Sequence, residues 1–428
     1  MACIRTAAAA LAVALAVFVS NANAEQTEPC GSRVTRANVV RCALGASLSV
    51  QLERQELSAA TARKAAASPL LPDNPVLAIS AAQRRTSDQR DINWYATLSQ
   101  QLEVAGQRGL RRDAAEASVG AQSQRVVASR RATAVQAWAS YFDALASIEE
   151  RRLTERLVVV SERVAAVARA RAESGLIAGV DADVADAAAV RVLQVSLAAE
   201  RRVVERSAQL ASLLGLEPKP SMLTIEGELT PLAESIRALA AENTPLDQAR
   251  PELLALEAEQ RALELRAAAF RRSRVPNPTL SVFAQNDGFN ERVFGVGLSL
   301  PIPLPGNVGR TYIGEIAEAE ALAQRTHTER AQVVRELKLS VSTARQVFAS
   351  RAREVEAFTA VRLSRAESGL SALAEQIEAG RISVRDALIA QQALIELLLA
   401  HVDARKNWCL ASVELARALG LPLEGAKP

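Results

Sequence analysis

Apolar and polar positions along this 428-residue chain follow two rhythms. Over most of it apolar residues recur at threes and fours, as on one stripe of an α-helix, whereas short regions alternate residue by residue, as in half-buried strands. Val190, Leu193, Leu197, Val204, Ala208 and Ala211 form one helical stripe, and adding 205 to each number gives Ile395, Leu398, Val402, Cys409, Val413 and Ala416, again all apolar. Cys409 is thereby expected as a small buried member of that stripe rather than a reactive thiol. In the alternating regions, Ile92, Trp94, Ala96 and Leu98 oppose Asn93, Tyr95, Thr97 and Ser99. Phe294, Val296, Leu298, Leu300 and Ile302 likewise oppose Gly295, Gly297, Ser299, Pro301 and Pro303.

The offset of 205 belongs to a duplication. Asn74-Pro75 matches Asn277-Pro278 at 203, and Leu98-Ser99 with Gly106 and Gly109 matches Leu298-Ser299 with Gly306 and Gly309 at 200. Gly175–Ala182 lies over Gly380–Ala387 at 205, as does Leu214-Gly215-Leu216 over Leu419-Gly420-Leu421. All 16 prolines fall outside Val76–Glu217 and Gly306–Leu421, so very long helices can run there without the roughly 3 kcal/mol cost of an interior proline. The pattern predicts a first repeat over 25–216, with a helix Val34–Ala67, a hairpin about 74–104, a long helix about 109–174 and a helix about 180–214. After a linker at 217–244, a second repeat over 245–421 has a helix Leu246–Arg272, a hairpin about 277–304, a long helix about 309–379 and a helix about 384–419, leaving a tail at 422–428. At about 1.5 Å per residue each long helix measures roughly 100 Å, and two shorter ones end to end match it. That match predicts a bundle with the linker and chain ends at its waist.

Residues 1–24 carry Arg5, an apolar run from Ala7 to Val19 and Ala22-Asn23-Ala24, the charged, apolar and small-residue parts of a signal peptide, so the mature chain begins near Glu25. No later uninterrupted apolar run reaches about 18 residues, so the exported chain either floats or enters a membrane as strands. Each strand run is about ten residues, enough to cross a bilayer when tilted. One face is apolar and the other polar or small, as for lipid outside and water inside, although a soluble sandwich shows the same alternation. Two hairpins make neither a sandwich core nor a barrel with a lumen. Three copies supply twelve strands. Trp94, Tyr95, Phe289 and Phe294 are a sparse supply of girdle aromatics. In an exported chain Cys30 and Cys42 are able to pair, closing a short loop, but the spacing does not compel it.

Composition removes other classes. The net charge of +3 is interspersed, with no footprint for nucleic acid. Two distant histidines, His327 and His401, provide little for metal ligation or acid–base catalysis, and neither a Ser-His-Asp arrangement nor an HExxH run is present. Gly306–Thr311 lacks the Lys and spacing of a phosphate loop. No enzyme and no cofactor is expected. A periplasmic adaptor or other exported coiled-coil scaffold is the competing reading, and it fits a tandem duplication with a strand pair in each copy poorly.

The duplication, the run Arg250–Phe283 (RPELLALEAEQRALELRAAAFRRSRVPNPTLSVF) and the two Gly turns followed by Leu-Gly-Leu resemble the TolC family of outer-membrane efflux channels over nearly the whole mature chain. Leu98–Ala117 and Val296–Ala321 look most like its CzcC-type subgroup, associated with heavy-metal cation efflux. The resemblance implies a mainly α fold with a small β part: a duplicated long-helix α-barrel with four transmembrane strands per chain, completing a 12-stranded β-barrel as a homotrimer. It implies an outer-membrane location, helices in the periplasm, contact with outer-membrane lipid, a periplasmic adaptor (membrane fusion protein) and an inner-membrane pump of the RND type. The periplasmic tip then falls at Gly175, Gly179 and Gly380, where the adaptor makes contact, and the pore-constricting acid of the family maps to Asp181 and Asp386. Asp183 joins the same rim, with Arg381 and Arg385 available for closing ion pairs. The second copy departs from the family pattern at Ile389. Both aspartates also suit the first turn of the returning helix, where the dipole favours a carboxylate, and the two roles are compatible.

Overall fold

The computed structural model describes residues 31, 33–85, 90–216, 223–233, 250–286, 291–306 and 308–423. The signal peptide (1–24), Cys30, Phe289, the linker apart from residues 223–233 and the tail beyond residue 423 lie outside them. The first repeat comprises β1 (Arg33–Thr35), α1 (Val39–Ala46), α2 (Leu48–Ala66), β2 (Val76–Arg85), β3 (Arg90–Gln101), α3 (Gln107–Glu173) and α4 (Gly179–Leu213). After β4 (Thr224–Glu226) the second comprises α5 (Pro251–Arg272), β5 (Thr279–Asn286), β6 (Arg292–Ser299), α6 (Ile313–Glu356), α7 (Ala360–Glu378) and α8 (Val384–Leu419).

Free of proline and rich in alanine, α3 runs unbroken for 67 residues, or roughly 100 Å. It packs against α1, α2 and α5 as well as α4, α7 and α8, while α5 and α8 also pack on α6. Small residues let the axes approach: Gly120 lies 3.9 Å from Ala258 when given a Cβ. Each long helix starts from a left-handed residue, Gly106 (φ 78°) in the first repeat and Tyr312 (φ 55°) in the second. Tyr312 is the one non-glycine with positive φ among the described residues, and its ring stacks on Phe270 and carries the Arg310 guanidinium over it.

Three elements differ from the sequence expectation. The helix expected over Val34–Ala67 is β1 followed by two helices, because Ser47 adopts an extended conformation and caps α2 by accepting from Val50 N. The long helix expected over 309–379 breaks after Glu356 without any proline: Thr359 is extended (ψ 148°) and its hydroxyl accepts from Arg362 N, restarting the helix as α7. The ring of Phe358, in the break, meets His401 at 5.4 Å. Finally, β6 stops at Ser299, since Pro301, Pro303 and Pro305 have no amide hydrogen for a ladder. One further helix bears on membrane crossing. Although no uninterrupted apolar run reaches 18 residues, α8 is long and apolar enough overall to cross a membrane, yet it threads the helical cores through Leu398, Cys409 and Leu415.

The four long strands form one antiparallel sheet in the order β2-β3-β5-β6. Leu77↔Leu98, Leu98↔Val282 and Val282↔Val296 put an apolar row from all four strands on one face. That face is the exposed one: Phe294, Val296 and Leu298 are 75–78% accessible, while Gly295 and Gly297 between them are partly sheltered. On the sheltered face Phe283 lies over Gly295, where a Cβ would come within 2.4 Å of the ring. Among the described residues both outer strands, β2 and β6, have one unpaired edge.

The largest core sits halfway along α3. Trp138, Tyr141 and Phe142 are buried there and touch one another, with centroids 5.6–6.0 Å apart. Around them gather Val34, Val39 and Cys42 from the N-terminal segment, Leu229 and Leu232 from the linker, Leu210 of α4, Cys409 and Val413 of α8, and Leu423 near the C-terminus. The linker is tied down by the short parallel pair β1–β4, by Tyr141 Oη donating to Glu226 O (2.7 Å), and by Leu232 N donating to Ser412 Oγ (3.0 Å). Gly227, at φ 145°, has no room for a Cβ, which would fall 2.1 Å from Tyr141 Oη. Trp138 Nε1 donates to Leu423 O (3.2 Å), and burial pushes the Tyr141 hydroxyl up to about 12. Cys409 is fully buried and its thiol is likewise pushed up to about 12 by burial, in keeping with a packing role. Cys42 is disulfide-bonded; Cys409 is free, and Cys30 lies outside the described residues.

Removing this aromatic centre should loosen both repeats together. Trp138→Ala is expected to lower stability by about 3–5 kcal/mol, read as a lower denaturation midpoint in a single shared transition; a loss confined to one repeat would contradict the shared core.

Candidate functional site

At the end of the bundle away from the sheet, α3 and α7 stop and the chain turns back into α4 and α8. Both stops use the same device. Gly175 and Gly380 sit at φ 70°, a left-handed conformation that glycine adopts without steric penalty. Leu176 N then donates to Arg171 O (2.9 Å) and Arg381 N to Gln376 O (3.0 Å), closing the six-residue loop that satisfies terminal carbonyls. Gly179 differs from these two: it is the first residue of α4 and its φ is not positive.

The expected carboxylates follow at once. Asp181 and Asp386 occupy the first turns of α4 and α8, where helix N-termini favour negative charge. Asp386 is exposed and locked into a cap: Ser383 Oγ accepts from Asp386 N (3.1 Å) and lies 2.6 Å from Asp386 Oδ2, to which its hydroxyl donates. Asp181 is half-buried and Asp183 exposed. Arg381 and Arg385 are exposed too, and neither forms an ion pair with a described residue, so the closing pairs anticipated for them are not made within one chain. On α3 and α4 behind the first turn, Arg169 pairs with Asp186 at 3.9 Å.

Behind the turns a second core, including Val164, Ala168, Ala182, Ala185, Leu373, Ile377, Val384 and Ala387, fixes the four helices. Between α4 and α8 lies a groove of about 440 Å³ lined by Val184, Val192, Val195, Leu388, Ile389 and Ile395. At its floor Gln391 is buried and donates to Ser161 Oγ.

Sequence reading missed the residue that joins the two turns. Arg171, in the last turn of α3, donates through Nη1 to Ile377 O (2.6 Å) and Glu378 O (2.9 Å) at the end of α7. A cation at those carbonyls also opposes the negative end of the α7 dipole. The signal was available in the repeat register, because position 171 plus 205 is Gln376, a departure from symmetry that marks a contact between repeats. No group of three or more His, Cys, Asp or Glu side chains placed to hold a metal exists among the described residues.

Two tandem helical hairpins with a shared strand sheet define the class, and comparison with known proteins agrees. The chain belongs to the outer membrane efflux protein family, whose sequence model matches residues 39–216 and 246–421, one segment in each repeat. Such proteins are non-enzymatic transport ducts of the outer membrane. Among solved structures the chain is similar to CusC, with 15% identity, a TM-score of 0.71 and coverage of 90% of this chain and 92% of that one. A membrane protein from Pseudomonas aeruginosa aligns at 20% identity and TM-score 0.71, covering 90% and 92%. VceC from Vibrio cholerae aligns at 18% and 0.70, covering 90% and 96%. At these identities the likeness shows the fold. No curated relative matches the sequence.

Arg171→Ala leaves two terminal carbonyls without their charged donor, worth about 1.5–3 kcal/mol locally. Amide hydrogen exchange should accelerate at Ile377–Arg381 while the Trp138 region stays protected; unchanged exchange at the turns would show that Arg171 does not fasten them.

Proposed function

We propose that this protein is a passive homotrimeric duct that carries solutes from the periplasm to the exterior, with its sheet in the outer membrane and its helices in the periplasm. The observation that carries this reading is the inverted sheet: its apolar face is the exposed one, and both its edges are open. A lipid surround makes an outward apolar face favourable, and backbone pairing to further copies removes the edges, which cannot persist in hydrocarbon. Three copies give twelve strands. Asn93 and Thr97, whose side-chain oxygens have no partner among the described residues, lie on the opposite, sheltered face, which then lines a watery lumen.

The helices support the same assembly. In the second repeat Leu398 and Cys409 are buried, partly by α3. Their first-repeat equivalents on α4 are not: Leu193 and Val204 are 40% and 49% accessible, and Val190 and Leu197 on the same stripe are 50% and 46% accessible. By the internal symmetry, α6 and α7 of a neighbouring copy occupy the place on α4 that α3 occupies on α8. Leu339, Val347 and Val361 give those helices exposed apolar positions to match. Leu197→Arg should therefore dissociate the membrane-extracted oligomer while each chain keeps its helical circular dichroism. An intact heat-modifiable trimer in that variant would refute the α4 interface.

In the trimer Asp181, Asp183 and Asp386 form carboxylate rings at the periplasmic mouth, which attract cations and resist anions, while Arg381 and Arg385 are free to pair with a neighbouring copy in the closed state. The turns around Gly175, Gly179 and Gly380 meet an adaptor, and an inner-membrane pump of the RND type supplies the energy. The CzcC-type resemblance makes divalent heavy-metal cations the cargo class. With no resident ligand cluster described, the cargo passes by charge selection rather than tight coordination. In planar bilayers with potassium and zinc salts, Asp181→Ala with Asp386→Ala is expected to raise conductance and weaken cation selectivity. Equal selectivity in variant and parent would remove the gate assignment and leave the duct intact.

A further inference from the structure

The exposed apolar face of the sheet ends in arginine. Register places Arg85 directly opposite Arg90, and Arg292 opposite Asn286, at the hairpin ends farthest from the helices. Counting alternate residues back along each strand, Arg85 shares its face with Ile79 and Leu77, Arg90 with Ile92 and Trp94, and Arg292 with Phe294 and Val296. All three arginines are exposed, and none forms an ion pair with a described residue. The other face handles charge conventionally: Arg84 there stands opposite Asp91.

Like charges directly across a strand pair are destabilising, and an apolar face is a poor setting for three guanidinium groups that have no ion-pair partner among the described residues. An external anion resolves both difficulties. Resting on the outer-membrane reading above, the exposed apolar row beside Arg292 (Phe294, Val296, Leu298, Leu300 and Ile302) spans about 26 Å along the chain at roughly 3.3 Å per residue, close to the roughly 25 Å apolar band of an outer-membrane barrel. The arginine row then lies at the outer headgroup level rather than in hydrocarbon. We propose that Arg85, Arg90 and Arg292 form a binding collar for phosphate-bearing lipid headgroups of the outer leaflet. The planar fork of arginine suits bidentate phosphate contacts, and each basic residue at an anionic membrane surface adds to the attraction. The apolar residues below the row supply the surface on which the acyl chains of the same lipid lie.

The test compares the intact oligomer with the triple variant Arg85→Gln, Arg90→Gln, Arg292→Gln, titrating each in neutral detergent with a bisphosphorylated glycolipid, its dephosphorylated form, or inorganic phosphate. Binding is read as a rise in the dissociation temperature of the oligomer. The parent should bind the phosphorylated lipid about tenfold or more tightly than the dephosphorylated form, and the variant should lose that difference. Retained trimer mass and single-channel conductance in the variant would show that its fold survives. A parent oligomer indifferent to the lipid phosphates, a variant that binds as the parent does, or an equal response to free phosphate would each overturn the lipid collar and leave the duct standing. Failure of the parent to insert into a bilayer would overturn the duct reading and the collar with it.

Discussion

The bundle depends on one packing constraint, the burial of Trp138, Tyr141 and Phe142 at the middle of α3. A 67-residue helix lined with alanine offers little area per residue for the hydrophobic effect to act on, so position along it is weakly specified. Three adjacent aromatic side chains supply a large buried area at one point. There the N-terminal segment, the linker, α4, α8 and the C-terminal residues all converge. Aromatic residues make up only 3% of the chain, and a cluster here fixes the register of both repeats at once. Arg36 closes the cluster from outside, its guanidinium 5.6 Å above the Trp138 ring and its nitrogens on the carbonyls of Thr230 and Pro231.

Elsewhere arginine carries much of the connection between elements. The chain has 46 arginines and five lysines, and a planar five-donor group is suited to bridging several backbone carbonyls, as a point charge is not. Arg108 holds the carbonyls of Ser68 and Pro69 beyond α2, Arg171 those at the end of α7, and Arg250 those of Arg417 and Ala418 at the end of α8. Each reaches from one part of the chain to a helix terminus in another, where carbonyls lack intrahelical donors. Burial lowers the affinity of Arg250 for its proton, yet it remains a cation and so retains every donor. Helix ends are thus joined by charge-assisted hydrogen bonds while the seams between them stay small and apolar.

The two repeats are alike in sequence and unlike in surroundings. Leu398 and Cys409 are buried, whereas their equivalents Leu193 and Val204 face solvent in a single chain. The sheet is unfinished in the same sense, with a full set of apolar side chains exposed and two edges unpaired. Both features follow from one principle: a repeat buries its apolar stripe against a neighbour, and two repeats leave one stripe over. Assembly and lipid provide what the single chain lacks.

Much of this was legible along the chain. Helical periodicity, proline placement and the offset of 205 between Gly175 and Gly380 are local or self-referential signals, so the long helices, the hairpins and the two turns could be read without any tertiary information. The first-turn positions of Asp181 and Asp386 were legible because they follow those glycines, and the burial of Cys409 because its whole stripe is apolar. The break at Thr359 escaped notice because a threonine cap needs no proline and gains its meaning from Phe358 meeting His401 on another helix. The pairing of β1 with β4 joins segments almost 200 residues apart, three residues each, too short for any pattern. Arg171 has an ordinary helical position, and only the approach of α7 turns it into a clasp. Sequence by itself therefore determined the elements and their duplication, since these depend on the spacing of side chains along one strand or helix. Tertiary structure alone decided which of two equivalent stripes is buried and which helix ends are joined, because both depend on what stands opposite.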